Sequence, residues 1–204
     1  MMPLTYPIET PSQTAGPFLH IGLAPDLAGL ARHPALLGRA IADPDTPGSR
    51  VTITGQVFDG TGTPIRDMLI EVWQADAAGI YNHEEDPRSA HVTPGFTGFG
   101  RFATNFEDGS FVIETVKPGP VPGRDGRIQA PHLNLWLAAR GVNIGLSTRL
   151  YFGDEAEANA ADPVLAMIEQ PVRRETLIAT TADGGNYRFD VHLQGERETV
   201  FLDV

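Results

Sequence analysis

The chain contains no cysteine, which removes disulfides, thiolate zinc sites and thiol nucleophiles together. No apolar run comes near the ~20 residues of a membrane-spanning helix. The opening Met1-Met2-Pro3-Leu4-Thr5-Tyr6 lacks the basic segment and apolar core of a secretory leader. Positive charge is scarce. Its 15 Lys and Arg against 26 Asp and Glu leave a formal charge of −11, which argues against a nucleic-acid or anionic-membrane partner, because phosphate recognition needs clustered cations. No G-x-S-x-G elbow is present, and Gly60-Thr61-Gly62 lacks the Lys and the helix that a phosphate loop requires. What remains is 204 residues, 41% hydrophobic and 20% charged, an ordinary globular composition with room for one well-buried domain and extensions. The expected location is the cytoplasm.

The chain divides near residue 50. Residues 1–50 are rich in Pro, Ala and Gly, and Glu9 to Gly22 is expected to run as an extended arm, since Pro11 and Pro17 push their predecessors out of the helical region. Such an arm must lie on the domain or reach over a partner. Asp26 to Ala42 carries Leu27, Leu30, Ala31, Leu36, Leu37 and Ile41 at near-helical spacing, limited by Pro34 to a short or broken helix. Asp43 to Gly48 reads as a linker.

From Val51 to 204 the period changes to two. Strands are expected at 51–57, 68–73, 100–106, 111–116, 132–139 and 147–152, with a final hairpin of 187–193 and 199–202 around Gln194 to Arg197. Closely spaced short strands with Gly-rich turns predict a mainly β chain, an antiparallel β-sandwich. A helical insertion is expected over 154–169, with Asp154 as N-cap and Pro163 splitting it in two.

The chemistry-bearing candidates cluster around Lys117 to Gly141. Leu133, Leu135 and Leu137 alternate with His132, Asn134 and Trp136, so one strand face is apolar and the other resembles a ligand platform. Tyr81 could offer a phenolate, suited to ferric iron, and His83 and His91 lie in the loop beyond it. These two histidines stand among Glu84, Glu85, Asp86 and Arg88, and loop histidines beside acids are ordinarily just solvated. Asn134 is a poor transition-metal ligand. Arg140 could clamp a carboxylate through parallel N–H donors or serve in a surface ion pair.

Several segments, in order and across nearly the whole chain, resemble the intradiol ring-cleavage dioxygenases. They are Thr10–Phe18, Gly55–Gly60, Glu71–Tyr81, Lys117–Pro120, Ala130–Asn134, Thr148–Phe152 and Arg188–Asp203. The likeness is greatest to the non-catalytic chains of the two-chain, protocatechuate-cleaving members. It implies a β-sandwich and a ferric site made of two Tyr and two His. Those positions fall here on Tyr81, Val121, His132 and Asn134, which leaves two ligands of four. The resemblance therefore implies a degenerate site in this chain and Fe(III) held by a partner β chain, within a higher-order αβ oligomer. It further implies O₂ insertion into protocatechuate to give 3-carboxy-cis,cis-muconate, with Thr14, Ala15, Gly16, Pro17 and Arg140 of this chain near the substrate across the interface. Tyr at 121 together with His at 134 is expected to restore tyrosinate–iron colour.

Two other readings stand beside this one. The chain could be a stand-alone, transthyretin-like β-sandwich that binds a ligand without catalysis. It could also hold its own metal through Tyr81, His132 and His83 or a water.

Overall fold

The alternation at Val51, Ile53 and Val57 produces the first long strand, β1 (Arg50–Phe58), whose odd-numbered side chains are buried. The computed structural model describes residues 8, 10–31, 33, 38, 40–123 and 125–203. Along one edge β1 pairs antiparallel with β4 (Ser110–Val116). Along the other it pairs in parallel with β10 (Asn186–Arg188) and β11 (Val191–His192). β2 (Leu69–Trp73) lies between β3 (Phe99–Ala103) and β7 (His132–Ala138), both antiparallel to it. β7 continues antiparallel into β8 (Leu146–Phe152), and β8 pairs in parallel with β9 (Ile178–Thr181), which returns to β10. A short ribbon of β5 (Val121–Pro122) and β6 (Ile128–Gln129) stands apart from this sheet.

The two halves of the sheet face one another. Ile53, Val57, Phe111 and Ile113 from one half share a single buried cluster with Ile70, Val72, Leu133, Leu135, Leu137, Leu150 and Phe152 from the other. Each such side chain contributes about 1.5–3 kcal/mol on leaving water. The opposite face of β8 sends Tyr151 into a second cluster with Ala130, Leu165 and Leu177, against which Ala158 packs. Ala158 lies in α2 (Ala156–Ala161) and Leu165 in α3 (Pro163–Met167), and α4 (Pro171–Glu175) follows them.

The β-sandwich expectation holds, with differences in its parts. The sheet is mixed rather than purely antiparallel, and β9 carries no alternation strong enough to stand out in the sequence. The single strand expected over 187–193 is split, because the Asp190 carboxylate accepts the Gln56 N–H at 2.9 Å in place of a backbone carbonyl. Residues 199–202 form no strand, although Thr199 N–H still reaches the His192 carbonyl and Leu202 N–H reaches that of Ser147. Pro163 divides the helical insertion as expected. The first helix of the insertion has Glu155, not Asp154, at its N-cap and no side-chain cap. Asp154 instead pairs with Lys117 at 2.8 Å, and the capping carboxylate is that of Asp162 at the start of α3, which accepts from Val164 and Leu165 N–H.

The arm is not extended throughout. Residues 19–23 form a one-turn helix, α1 (Leu19–Leu23), because Pro17 restricts only Gly16 before it and leaves the following residues free to turn. The helix expected over 26–42 is a run of turns in its described part, ended by Gly29 at φ 76°. Pro34, Leu36 and Leu37 lie outside the described residues. Ile41 is fully buried, and its carbonyl accepts Thr97 and Gly98 N–H. Among the described residues no helix is long and apolar enough to cross a membrane.

Candidate functional site

Tyr81 is placed by the turn that follows β2. The fully buried Asp76 carboxylate accepts Ala78 and Ile80 N–H through Oδ1, and Thr93 N–H and Oγ1 through Oδ2, all within 2.9 Å. Gly79 sits at φ 75° with the Pro120 carbonyl 2.1 Å from where a Cβ would stand, so no other residue fits there. Asp76 and Gly79, in the segment Trp73 to Gly79, lock the loop against Lys117–Pro120: the Asp76 carbonyl accepts the Gly119 N–H at 2.9 Å and Gly79 packs on Pro120. Beyond Tyr81, Asp86 accepts the Tyr81 N–H at 3.0 Å and binds Arg88 in a fork. Arg88 holds the Asp86 carboxyl down to about 2.

The four expected ligand positions are gathered at this end of β7. Tyr81 stacks on Trp73 with ring centroids 5.9 Å apart. Both line a cavity of about 700 Å³ together with Val121 and His83. His83 meets the Trp73 ring edge-on at 6.3 Å, whereas His91 is exposed in a separate turn. His132 is buried. Its Nδ1 lies 2.7 Å from the Ala130 carbonyl, and its Nε2 has no partner. Asn134 donates from Nδ2 to the Trp73 carbonyl at 3.2 Å.

A residue absent from the sequence-based candidates stands in the middle of them. Arg149, opposite Asn134 in the β7–β8 register, donates from Nε to Asn134 Oδ1 at 3.0 Å. Its Nη1 donates to Gln129 Oε1 at 2.6 Å and to the Tyr151 hydroxyl at 3.2 Å. Tyr151 in turn donates to Asp162 Oδ1 at 3.2 Å. The signal was present: in T-R-L-Y-F, alternation puts Arg149 and Tyr151 on one face, beside His132 and Asn134.

The donor set does not fit a ferric ion. Val121 has no ligating atom, and the one ligating atom of Asn134 is engaged by a cation. Burial pushes the Tyr81 phenol above its ordinary range, with the Asn134 amide and the Arg149 charge only opposing this. Burial, then Arg149, lowers His132 to about 4. Its Nε2 has no partner, so Tyr81 and His132 are the two donors of the four that remain. Among the described residues no group of three or more His, Asp or Glu could hold a metal.

The other candidates meet at the far end of the same strands. Arg140 lies just beyond the far end of β7, which itself carries the chain roughly 20 Å from His132. The Thr14 hydroxyl accepts the Gly141 N–H at 2.6 Å and lies 3.3 Å from the Ala139 carbonyl. Gly16 and Pro17 line a cavity of about 350 Å³ with Arg140, Asp67 and His20, and Ala15 joins them to Thr14. Arg140 Nε donates to Asp67 Oδ2 at 2.5 Å. His20 is buried with Nε2 unpartnered, and burial holds its pKa below the usual range. The structure therefore brings Thr14 to Pro17 together with Arg140, and separates both from Tyr81, Val121, His132 and Asn134.

A family profile described as "Dioxygenase" matches residues 24–195. The protocatechuate 3,4-dioxygenase alpha chain of Pseudomonas putida is 52% identical over 99% of this chain and all of that protein. The beta chain of the same kind of enzyme from Burkholderia cepacia is 35% identical over 80% of this chain and 72% of that one. Among solved structures, the dioxygenase domain of a carbohydrate-binding fusion protein from Streptomyces sp. SirexAA-E matches with a TM-score of 0.56 and 26% identity, covering 84% of this chain and 95% of that one.

Proposed function

The chain belongs to the intradiol ring-cleavage dioxygenases, and from that premise we propose that it is the alpha, non-iron subunit of a protocatechuate 3,4-dioxygenase. Enzymes of this family use iron. In this reading the Fe(III) belongs to a beta-type partner chain, because the donor set at Tyr81, Val121, His132 and Asn134 does not suit it here. That mismatch, in a chain that matches a named alpha chain from end to end, is the observation that carries the proposal.

The complex inserts both atoms of O₂ into protocatechuate, breaking the bond between its hydroxyl-bearing carbons and giving 3-carboxy-cis,cis-muconate. This chain contributes shape and charge. Thr14, Ala15, Gly16 and Pro17, with Arg140, form the edge offered to the partner's substrate cavity, and the guanidinium complements the substrate carboxylate. The separation of that edge from the chain's own degenerate site supports this reading: an arm that served the local site would lie at the Tyr81 end. Residues 1–50 form the arm-bearing segment and 51–204 the sandwich. The complex resides in the cytoplasm, where a chain without cysteine needs no oxidative folding.

The test is iron content, visible absorbance and protocatechuate turnover of this chain alone and co-expressed with a beta-type chain. A colourless, inactive lone chain and a coloured, active complex are expected. Iron retained by the lone chain would overturn the assignment of the metal to the partner. A stable monomer that joins no beta-type chain would favour the stand-alone binding module instead.

A further inference from the structure

The mismatch with iron has a specific cause beyond two missing ligands. We infer that the Arg149 guanidinium replaces the metal as the resident cation of the degenerate site, so that the site is closed to metal by charge as well as by loss of donors.

Three observations converge on this. First, Arg149 bonds directly to one former ligand position: its Nε takes Asn134 Oδ1 at 3.0 Å, the atom that a metal would need. Second, its Nη1 bonds the cross-strand neighbours of the other two strand-borne positions. Gln129 is paired with Val121 and Tyr151 with His132. Third, its charge reaches both surviving ligands, Tyr81 and His132. A half-buried cation with three acceptors behaves as the metal would, drawing the oxygen atoms of its neighbours inward. The acceptors are neutral, so the positive charge is not cancelled within the cluster. Asp162, the nearest carboxylate in this network, is reached only through Tyr151, and its own oxygens are taken up by Ala130, Val164 and Leu165 N–H.

Restoring Tyr at 121 and His at 134 is then one change short. A ferric ion with two tyrosinates carries about one net positive charge. A guanidinium about 5 Å away at an effective dielectric constant of about 20 weakens binding on the order of 100-fold.

The experiment uses the full chain and ferric nitrilotriacetate as the probe, and reads iron retained after desalting and tyrosinate-to-iron absorbance. Three variants are compared: Val121→Tyr with Asn134→His, the same pair with Arg149→Gln, and the same pair with Arg149→Lys. Only the Arg149→Gln variant should bind, on the order of 100-fold more tightly than the other two. A second pair of variants restores fewer donors: Asn134→His with Arg149→Gln joins a new imidazole to Tyr81 and His132, and Zn²⁺ should raise its melting temperature while Asn134→His with Arg149 in place stays unmoved. This second measurement decides the matter if the triple variant fails to fold. Iron or zinc binding by a ligand-restored chain with Arg149 in place, as tight as with Arg149→Gln, overturns the inference. So does a folded ligand-restored chain carrying Arg149→Gln that takes no metal in either measurement.

Discussion

The Thr14 hydroxyl accepts the Gly141 N–H at 2.6 Å, which ties the N-terminal arm to the peptide bond just after Arg140. The contact spans 127 positions of sequence and fixes the arm to the same chain that presents the arginine. The two proposed substrate-facing features are therefore one unit. Thr14→Val removes the hydroxyl at similar volume and leaves an amide to solvent, a change of about 0.5–1.5 kcal/mol. In the αβ complex the expected result is a KM for protocatechuate raised a few-fold, with iron content unchanged and the arm cleaved faster by protease. An arm as resistant as before would show that the hydroxyl does not hold it.

Arg140 is more than half exposed and gives only its Nε to Asp67. Among the described residues Asp67 is its one partner, so its terminal nitrogens remain for an incoming carboxylate. Charged hydrogen bonds contribute about 1.5–3 kcal/mol, so Arg140→Ala should lower kcat/KM for protocatechuate by roughly 10- to 150-fold and leave iron stoichiometry intact. Catechol, which lacks the carboxylate, is the control. Equal losses on both substrates would remove Arg140 from carboxylate recognition.

The sandwich was legible because its strands alternate cleanly: Leu133, Leu135 and Leu137 point inward, as their spacing requires. What escaped reading depends on contacts distant in sequence. The strand break at Asp190 needs Gln56, and the helix cap at Asp162 also serves Ala130. The proposed ligand positions Tyr81, Val121, His132 and Asn134 were visible as residue types, yet Arg149 was not. An arginine on a half-buried strand face resembles any surface cation until Asn134, Gln129 and Tyr151 are brought around it. Likewise α1 follows from local turn geometry that two prolines had masked.

Gly79 is the most constrained backbone position near Tyr81. A Cβ there would stand 2.1 Å from the Pro120 carbonyl oxygen at a φ of 75°. Neither atom belongs to a flexible side chain, so the loop must open. Gly79→Ala is expected to cost about 2–4 kcal/mol in urea unfolding and to loosen the Trp73–Tyr81 stack, which Trp fluorescence would report. Unfolding at the native midpoint would mean that Lys117–Pro120 yields more easily than its packing against Asp76 indicates.

His132 supplies the clearest pH dependence. Burial lowers it to about 4 from an ordinary 6.5, so between these values the unfolded chain binds a proton that the folded chain does not. Stability from this group is complete above about pH 6.5, falls as the pH drops, and is gone below about 4. It amounts to roughly 3 kcal/mol. Asp86, held down to about 2 by Arg88, acts only lower: its contribution is present above about pH 4 and is lost as the pH falls towards 2. His132→Gln keeps a polar group able to reach the Ala130 carbonyl but does not titrate. The melting temperature of the unsubstituted chain should rise between pH 4 and 6.5, and that of the variant should be markedly flatter there while the two fall together below pH 4. Parallel curves across the upper window would show that the buried imidazole is not the group that responds, and would move attention to His20, the other buried histidine with an unpartnered Nε2.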